Sequence, residues 1–229
     1  MSFWQTRGAG ILVLSGLGVL ILAIIGFSIG MEYYGNYSVH NTWFVAGDNH
    51  RFDPVAGYAG IHKFAGKDMQ LVKMTAKFVR PDGTMDLYAK YQPTTVYNFA
   101  KSVEVNLPPV GAGRTQAQQE QYSHTTVTVY DPSTYNLDVY RRSYRNYGMQ
   151  KTTIDNVSMD PGLSDKFVEA PRCSFADLWK QAIAHGAPKD AVATITYDQT
   201  GYAFQIPDVS FSAKFDGACT WSSLARLHR

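Results

Sequence analysis

CSFADLWKQAIAHGAPKDAVATITYDQTGYAFQIPDVSFSAKFDGAC, Cys173 to Cys219, is the stretch on which the fold turns. Phe175, Leu178, Trp179, Ala182 and Ile183 share one face of a helix at the spacing of its turns. Ser174 with Asp177 makes an N-cap pair, and Gly186 followed by Pro188 is a stop signal. Val192 to Tyr197 then alternates as a strand, Asp198-Gln199-Thr200-Gly201 turns the chain, Tyr202 to Ile206 returns, and Pro207-Asp208 leads into Val209 to Phe215. The spacing predicts a helix followed by three antiparallel strands. The two cysteines bracket this unit, and a layer folded over a helix can bring its ends together. A bridge would stabilise by roughly 4 kcal/mol in the chain-entropy model and requires an oxidising compartment. The rival reading is a pair of unrelated buried thiols, because two cysteines supply no spacing pattern.

Working outward, residues 52–107 repeat the order more loosely. Asp53 to Phe64 reads as a helix, although Gly57 and Gly60 each weaken it by roughly 1 kcal/mol. Leu71 to Val79, the turn Arg80-Pro81-Asp82-Gly83, Thr84 to Tyr91 and Thr94 to Ala100 follow as strands. The two units, 52–107 and 171–219, read as an internal duplication. Between them, 108–170 reads as an insertion. It holds the polar loop Pro108 to Glu120, a hairpin of Thr125 to Tyr130 with Thr134 to Tyr140 around Asp131-Pro132-Ser133, and a loop from Asp155 to Asp165. Residues 220–229 form a tail, read as a short amphipathic helix or a frayed end.

The order of elements from Cys173 to Cys219, with Ala191 to Tyr197 leading through the Gly201 turn into Tyr202-Ala203-Phe204-Gln205-Ile206, resembles the small PepSY-type modules of bacterial envelope proteins. The resemblance implies a helix packed on a three-stranded antiparallel sheet, often in tandem, and a role in binding or inhibiting other proteins. It rests on pattern rather than on signature residues, and the cysteines lie outside that pattern. Likeness at the level of fold carries little functional weight.

Toward the N-terminus, residues 1–7 precede GAGILVLSGLGVLILAIIGFSIG, Gly8 to Gly30, twenty-three residues without a charge. At helical rise this is roughly 35 Å, enough for a bilayer core of about 30 Å with some tilt. Phe3 and Trp4 before the run, and Tyr33, Tyr34 and Tyr37 after it, are residue types that favour membrane interfaces. Ser15, Gly18, Gly26 and Gly30 offer small positions for helix packing. Arg7 before the run and Glu32 after it predict a cytoplasmic N-terminus. The expected fold class is therefore α+β: one N-terminal transmembrane helix, a connector over 31–51, and a mostly antiparallel-β domain on the far side. The expected location is the bacterial inner membrane with that domain in the periplasm, and the expected partners are the lipid bilayer and other membrane subunits.

Of the 21 basic residues only Arg7 precedes residue 31, leaving 20 against 19 acidic ones, all beyond it. That balance, with no long Lys or Arg run, sets nucleic acid aside. Catalytic, metal and cofactor signals are lacking: there is no C-x-x-C, and the six histidines are scattered. Asp48-Asn49-His50-Arg51 is the best polar cluster, and a loop rich in Asp and Asn explains it without catalysis. The most distinctive surface candidate is Tyr140, Arg141, Arg142, Tyr144, Arg145 and Tyr147, because Tyr and Arg are enriched at contact hot spots. The competing reading is a strand end whose arginine stems lie over tyrosine rings. The sequence points to a non-catalytic accessory subunit of a larger membrane complex; large bacterial respiratory and photosynthetic assemblies commonly carry such single-helix subunits, a general expectation that these residues do not themselves show. The runner-up is a free-standing binding or peptidase-regulating module, and an enzyme with an unfamiliar site ranks last.

Overall fold

A computed structural model describes residues 3–35, 37, 40–103, 121–137, 143–145, 147–159 and 162–224, without the side chains of 3–15, 33, 135–137, 143–145, 155–159 and 224. In chain order the elements are α1 (Phe3–Tyr34), β1 (Thr42–Phe44), α2 (Tyr58–Ala65), β2 (Gln70–Val79), β3 (Thr94–Val103), β4 (Gln121–Val129), β5 (Tyr135–Leu137), β6 (Ser143–Arg145), β7 (Gly148–Met159), α3 (Phe175–Ala184), β8 (Ala193–Asp198), β9 (Gly201–Ile206), β10 (Phe211–Phe215) and β11 (Trp221–Leu224). They divide into two compact units, Met1–Asn41 and Thr42–Arg229.

The first unit is α1. Its described side chains begin at Gly16, and those of Gly16 to Glu32 are exposed on every side of the helix. Among the described residues, no helix is long and apolar enough to cross a membrane. This overturns the expected single-pass transmembrane helix, and with it the inner-membrane location and the cytoplasmic and periplasmic sides assigned to the two ends.

In the second unit, nine strands form one antiparallel sheet in the order β1-β7-β4-β3-β2-β8-β9-β10-β11, and β5 pairs with β6 apart from it. Its centre is the antiparallel pairing of β2 with β8, Thr75 opposite Thr196. Outward from that seam the chain steps through β3 and β4 on one side and β9 and β10 on the other. Each trio follows its own helix, α2 or α3. Alternation aims one face of every strand at the helices: Met74, Ala76, Tyr97, Phe99, Val127, Ile195, Phe204 and Phe215 are buried there. They join Ile61 and Phe64 of α2 and Phe175, Leu178, Trp179 and Ala182 of α3 in one continuous core. The Trp179 ring meets Phe204 edge-on, centroids 4.8 Å apart.

Several sequence expectations shift. The helix read over Asp53 to Phe64 starts only at Tyr58, because the Asp53 carboxylate accepts the Val55 and Ala56 N–H groups and closes a turn first. Thr84 to Tyr91 is turns rather than a strand, joined to Phe52 by a single bridge at Met85. The hairpin around Asp131 does not form: β4 pairs with β3 and β7 over long registers, which satisfies both of its edges. β7 runs on through Met159, inside the expected loop. Part of the 31–51 connector, β1, is the sheet's edge, and part of the tail, β11, is its other edge. Ser174 makes no side-chain cap; its carbonyl instead accepts the Asp177 and Leu178 N–H groups.

Cys173 and Cys219 are bridged, with Cα atoms 5.5 Å apart. The Tyr202 hydroxyl accepts the Arg172 and Cys173 N–H groups at 3.2 Å, fixing the loop that carries one end of the bridge. Burial pushes the Tyr202 phenol upward, against those two hydrogen bonds. Gln181 of α3 donates to the Cys219 carbonyl at 2.9 Å. Two glycines are dictated by close approach at positive φ: a Cβ at Gly201 would run into the Phe215 carbonyl, and one at Gly83 into the Ala176 backbone at the start of α3.

Candidate functional site: the open face of the sheet

The helices cover one face of the sheet, and the other face carries a different set of side chains. Following partners across the strands, Gln150, Thr128, Val96, Thr75, Thr196, Ala203 and Lys214 form one row over seven strands. All are half-exposed or exposed. Flanking positions on the same face are Thr126, Asn98 and Lys73 on one side of the row, and Thr94, Lys77, Thr194 and Gln205 on the other. This face is threonine-rich and of low relief. Its hydroxyls bond laterally, Thr126 to the Asn98 amide oxygen at 3.0 Å and Thr75 to Thr196 at 3.5 Å. Strand-strand spacing puts the row's ends about 29 Å apart.

One end of the face is walled. Leu163 and Phe167, flanking the short 3₁₀ turn Ser164–Lys166, pack on Val72, Ala100 and Tyr122. The bulge at Val72, where the β2–β3 register shifts between Leu71 and Lys73, turns Val72 toward this strap. Beside the strap lies a notch of about 160 Å³, lined by Val72, Lys73, Lys166, Asp198, Gln199 and Thr200. Asp198 closes the β8–β9 turn by accepting the Thr200 N–H at 2.9 Å and hydroxyl at 2.7 Å.

The polar cluster at Asp48 to Arg51 works as a clasp between two loops. His50 Nδ1 meets Asp86 Oδ1 at 3.0 Å, the His50 ring lies against Tyr88, and the Arg80 guanidinium donates to the His50 carbonyl. Arg51 approaches Asp82 at 3.6 Å. Partial burial alone would raise the Asp82 carboxyl, but hydrogen bonds from Thr84 and the charges of Arg80 and Arg51 hold it below the usual carboxylate range. No serine or cysteine nucleophile joins His50 among the described contacts. Among the described residues, no three His, Cys, Asp or Glu side chains gather as a metal site would require.

Of the surface candidates, Tyr140, Arg141 and Arg142 lie outside the described residues, and so do the side chains of Tyr144 and Arg145, whose backbone forms β6. Tyr147 is buried, its ring 4.1 Å from Phe44 on β1, and serves packing at the sheet edge. The side chains of Phe3, Trp4, Tyr33 and Ser15 lie outside the described residues, while Tyr34 and Tyr37 are exposed. Nothing stands within 4 Å of a Cβ built on Gly18, Gly26 or Gly30. Sequence reasoning passed over the open face, although Lys73-x-Thr75-x-Lys77, Thr126-x-Thr128 and Thr194-x-Thr196 spell its polar alternation. No family, no curated protein and no solved structure matches this chain.

Proposed function

We propose that this chain is a non-catalytic accessory protein whose Thr42–Arg229 unit docks a partner protein on the open face of its sheet. The observation that carries the reading is the asymmetry of that sheet. One face is sealed by two helices and stapled by a disulfide. The other presents seven strands of half-exposed and exposed threonines, glutamines and lysines, a broad surface whose described relief is one notch of about 160 Å³ at its end. The test is to set Thr75→Arg and Thr196→Arg together at the centre of the row and isolate the protein from its native source for mass measurement. The expected result is loss of the partner from the assembly with the circular dichroism of the fold kept, at a melting temperature lowered by the two facing arginines. An assembly that survives the double variant, or a wild-type protein that is strictly monomeric in native extracts, overturns it.

The helix-strand-strand-strand order of α3 to β10 favours a second reading, a free-standing module that binds a peptide or restrains a peptidase. That reading expects Thr42–Arg229, made alone under oxidising conditions, to bind its partner as tightly as the full chain; loss of binding on removal of α1 overturns it.

A further inference from the structure

We infer that the protein docked on the open face presents spaced acidic side chains, met by Lys73, Lys77 and Lys214, with one carboxylate seated at the notch beside Lys73. This rests on the docking reading above. Elsewhere in the unit Asp68 is partnered with Lys101, Asp82 with Arg51, Asp86 with His50 and Glu169 with Arg172, while Lys63, Lys67, Lys90, Lys180 and Lys189 are exposed singly on loops and helices. On the helix-bearing side, Lys151 donates to the Phe64 carbonyl at 3.2 Å and lies over the Phe64 ring. The three open-face lysines stand together on one face of the sheet. All are exposed, and among the described residues no side-chain ion pair or hydrogen bond engages them. The acid on the same face, Asp198, stands at the strand end, its Oδ1 already held by Thr200. Asp165, exposed on the strap, is the other nearby acid.

The spacing selects the kind of anion. Lys73 and Lys77 are four positions apart on β2, about 13 Å, and Lys214, three strands away on β10 and two positions off along the strand, is about 16 Å from each. These separations exceed the Debye length of about 8 Å at physiological ionic strength, so each lysine acts on its own counter-charge. A single phosphate or small dicarboxylate cannot reach all three. A protein surface with carboxylates distributed over a similar triangle can, and the flush hydroxyls between the lysines let it approach closely. The notch is lined by Val72, an apolar contact for the methylenes of a Glu or Asp side chain, by Lys73 and Lys166, and by Asp198, the carboxylate that an incoming acid must share it with.

The experiment titrates poly-L-glutamate into the full-length protein by calorimetry at low and at physiological salt, with heparin and phosphatidylglycerol vesicles as rival polyanions. Expected are binding that weakens as salt rises, a loss of about ten-fold or more in Lys73→Glu/Lys77→Glu/Lys214→Glu, an intermediate loss in the corresponding Gln triple, and tightening in Asp198→Asn. Unchanged circular dichroism of both triples shows that the fold is kept. Failure of poly-L-glutamate to bind at low salt, or equal binding by the triples, overturns the inference. So does a preference of the same lysines for heparin or vesicles, which gives the face to a sulfated glycan or a membrane. The two readings fail separately. A native assembly broken by Thr75→Arg/Thr196→Arg but untouched by the lysine triple removes the acidic partner and keeps the docking face; indifference to both removes the docking face.

Discussion

The two trios on either side of the β2–β8 seam have the same order and different means of holding it. The half from α3 to β10 has a ten-residue helix with four buried side chains, Trp179 among them, and a disulfide tying the loop before the helix to the turn after β10. The half from α2 to β4 has an eight-residue helix with three buried side chains and no crosslink. It relies instead on loops bonded across: Tyr97 donates to the Pro54 carbonyl at 2.7 Å, His62 Nε2 bonds the Met69 carbonyl at 2.7 Å, and Phe52 exchanges backbone hydrogen bonds with Met85. One sheet can thus be finished by hydrophobic packing on one side and by hydrogen-bonded loops on the other, because both solutions bury the same face of the strands.

The comparison breaks most directly at Trp179. Trp179→Ala empties the best-filled position beneath α3 and should cost up to about 5 kcal/mol, while Phe64→Ala under the shorter α2 should cost less; urea unfolding of both variants measures the difference. Equal losses would mean that the halves share one cooperative core without a stronger side. Reducing the Cys173–Cys219 bridge should remove about 4 kcal/mol by releasing the unfolded chain. Hydrogen exchange should then show protection falling first in β10 and β11, and uniform loss over both trios would erase the distinction.

The smallest effect belongs to Tyr97→Phe, which removes one buried hydrogen bond from the α2 half and should cost about 1 kcal/mol at neutral pH. Burial, with the nearby charge of Asp53, pushes the Tyr97 phenol well above its ordinary value, and burial also raises Tyr58, Tyr197 and Tyr202. Above about pH 10 the unfolded chain releases these protons while the folded chain keeps them, so stability falls as pH rises. Tyr97→Phe should flatten that alkaline decline, leaving the share of the other three phenols. Denaturant midpoints measured from pH 8 to pH 11 check this, and an unchanged slope would show that Tyr97 ionises as easily folded as unfolded.

The same contrast explains what could be read in advance. In the α3 half, amphipathic spacing at Phe175, Leu178 and Trp179, the Asp198–Gly201 turn and the Pro207 break are all local signals, and helix and strands appear where those signals place them, with β10 starting two residues late after a 3₁₀ turn. In the α2 half the decisive contacts are between residues distant in sequence. Thr84 to Tyr91 alternates well enough for a strand, yet Phe52 and Asn49 take its backbone hydrogen bonds at Met85 and Leu87, and no ladder follows. The pattern from Thr134 onward suits the return of a hairpin, yet β7 holds that edge of β4. The candidate site escaped for a related reason: Lys73, Lys77 and Lys214 are ordinary surface lysines until the strand order brings β2 and β10 onto one face.

By itself the sequence determined the alternation of the strands, the helix beneath Trp179, the turns at Asp198 and Pro207, and the bracketing of one unit by two cysteines, because each depends on residues within a few positions of one another or on their types. Only the tertiary structure decided that the β2–β8 pairing joins two trios into nine strands, that β1 and β11 become their edges, and that one polar face is left uncovered by the described residues. Those outcomes follow from which distant backbone edges satisfy each other's hydrogen bonds, a competition among alternatives that short-range spacing does not encode.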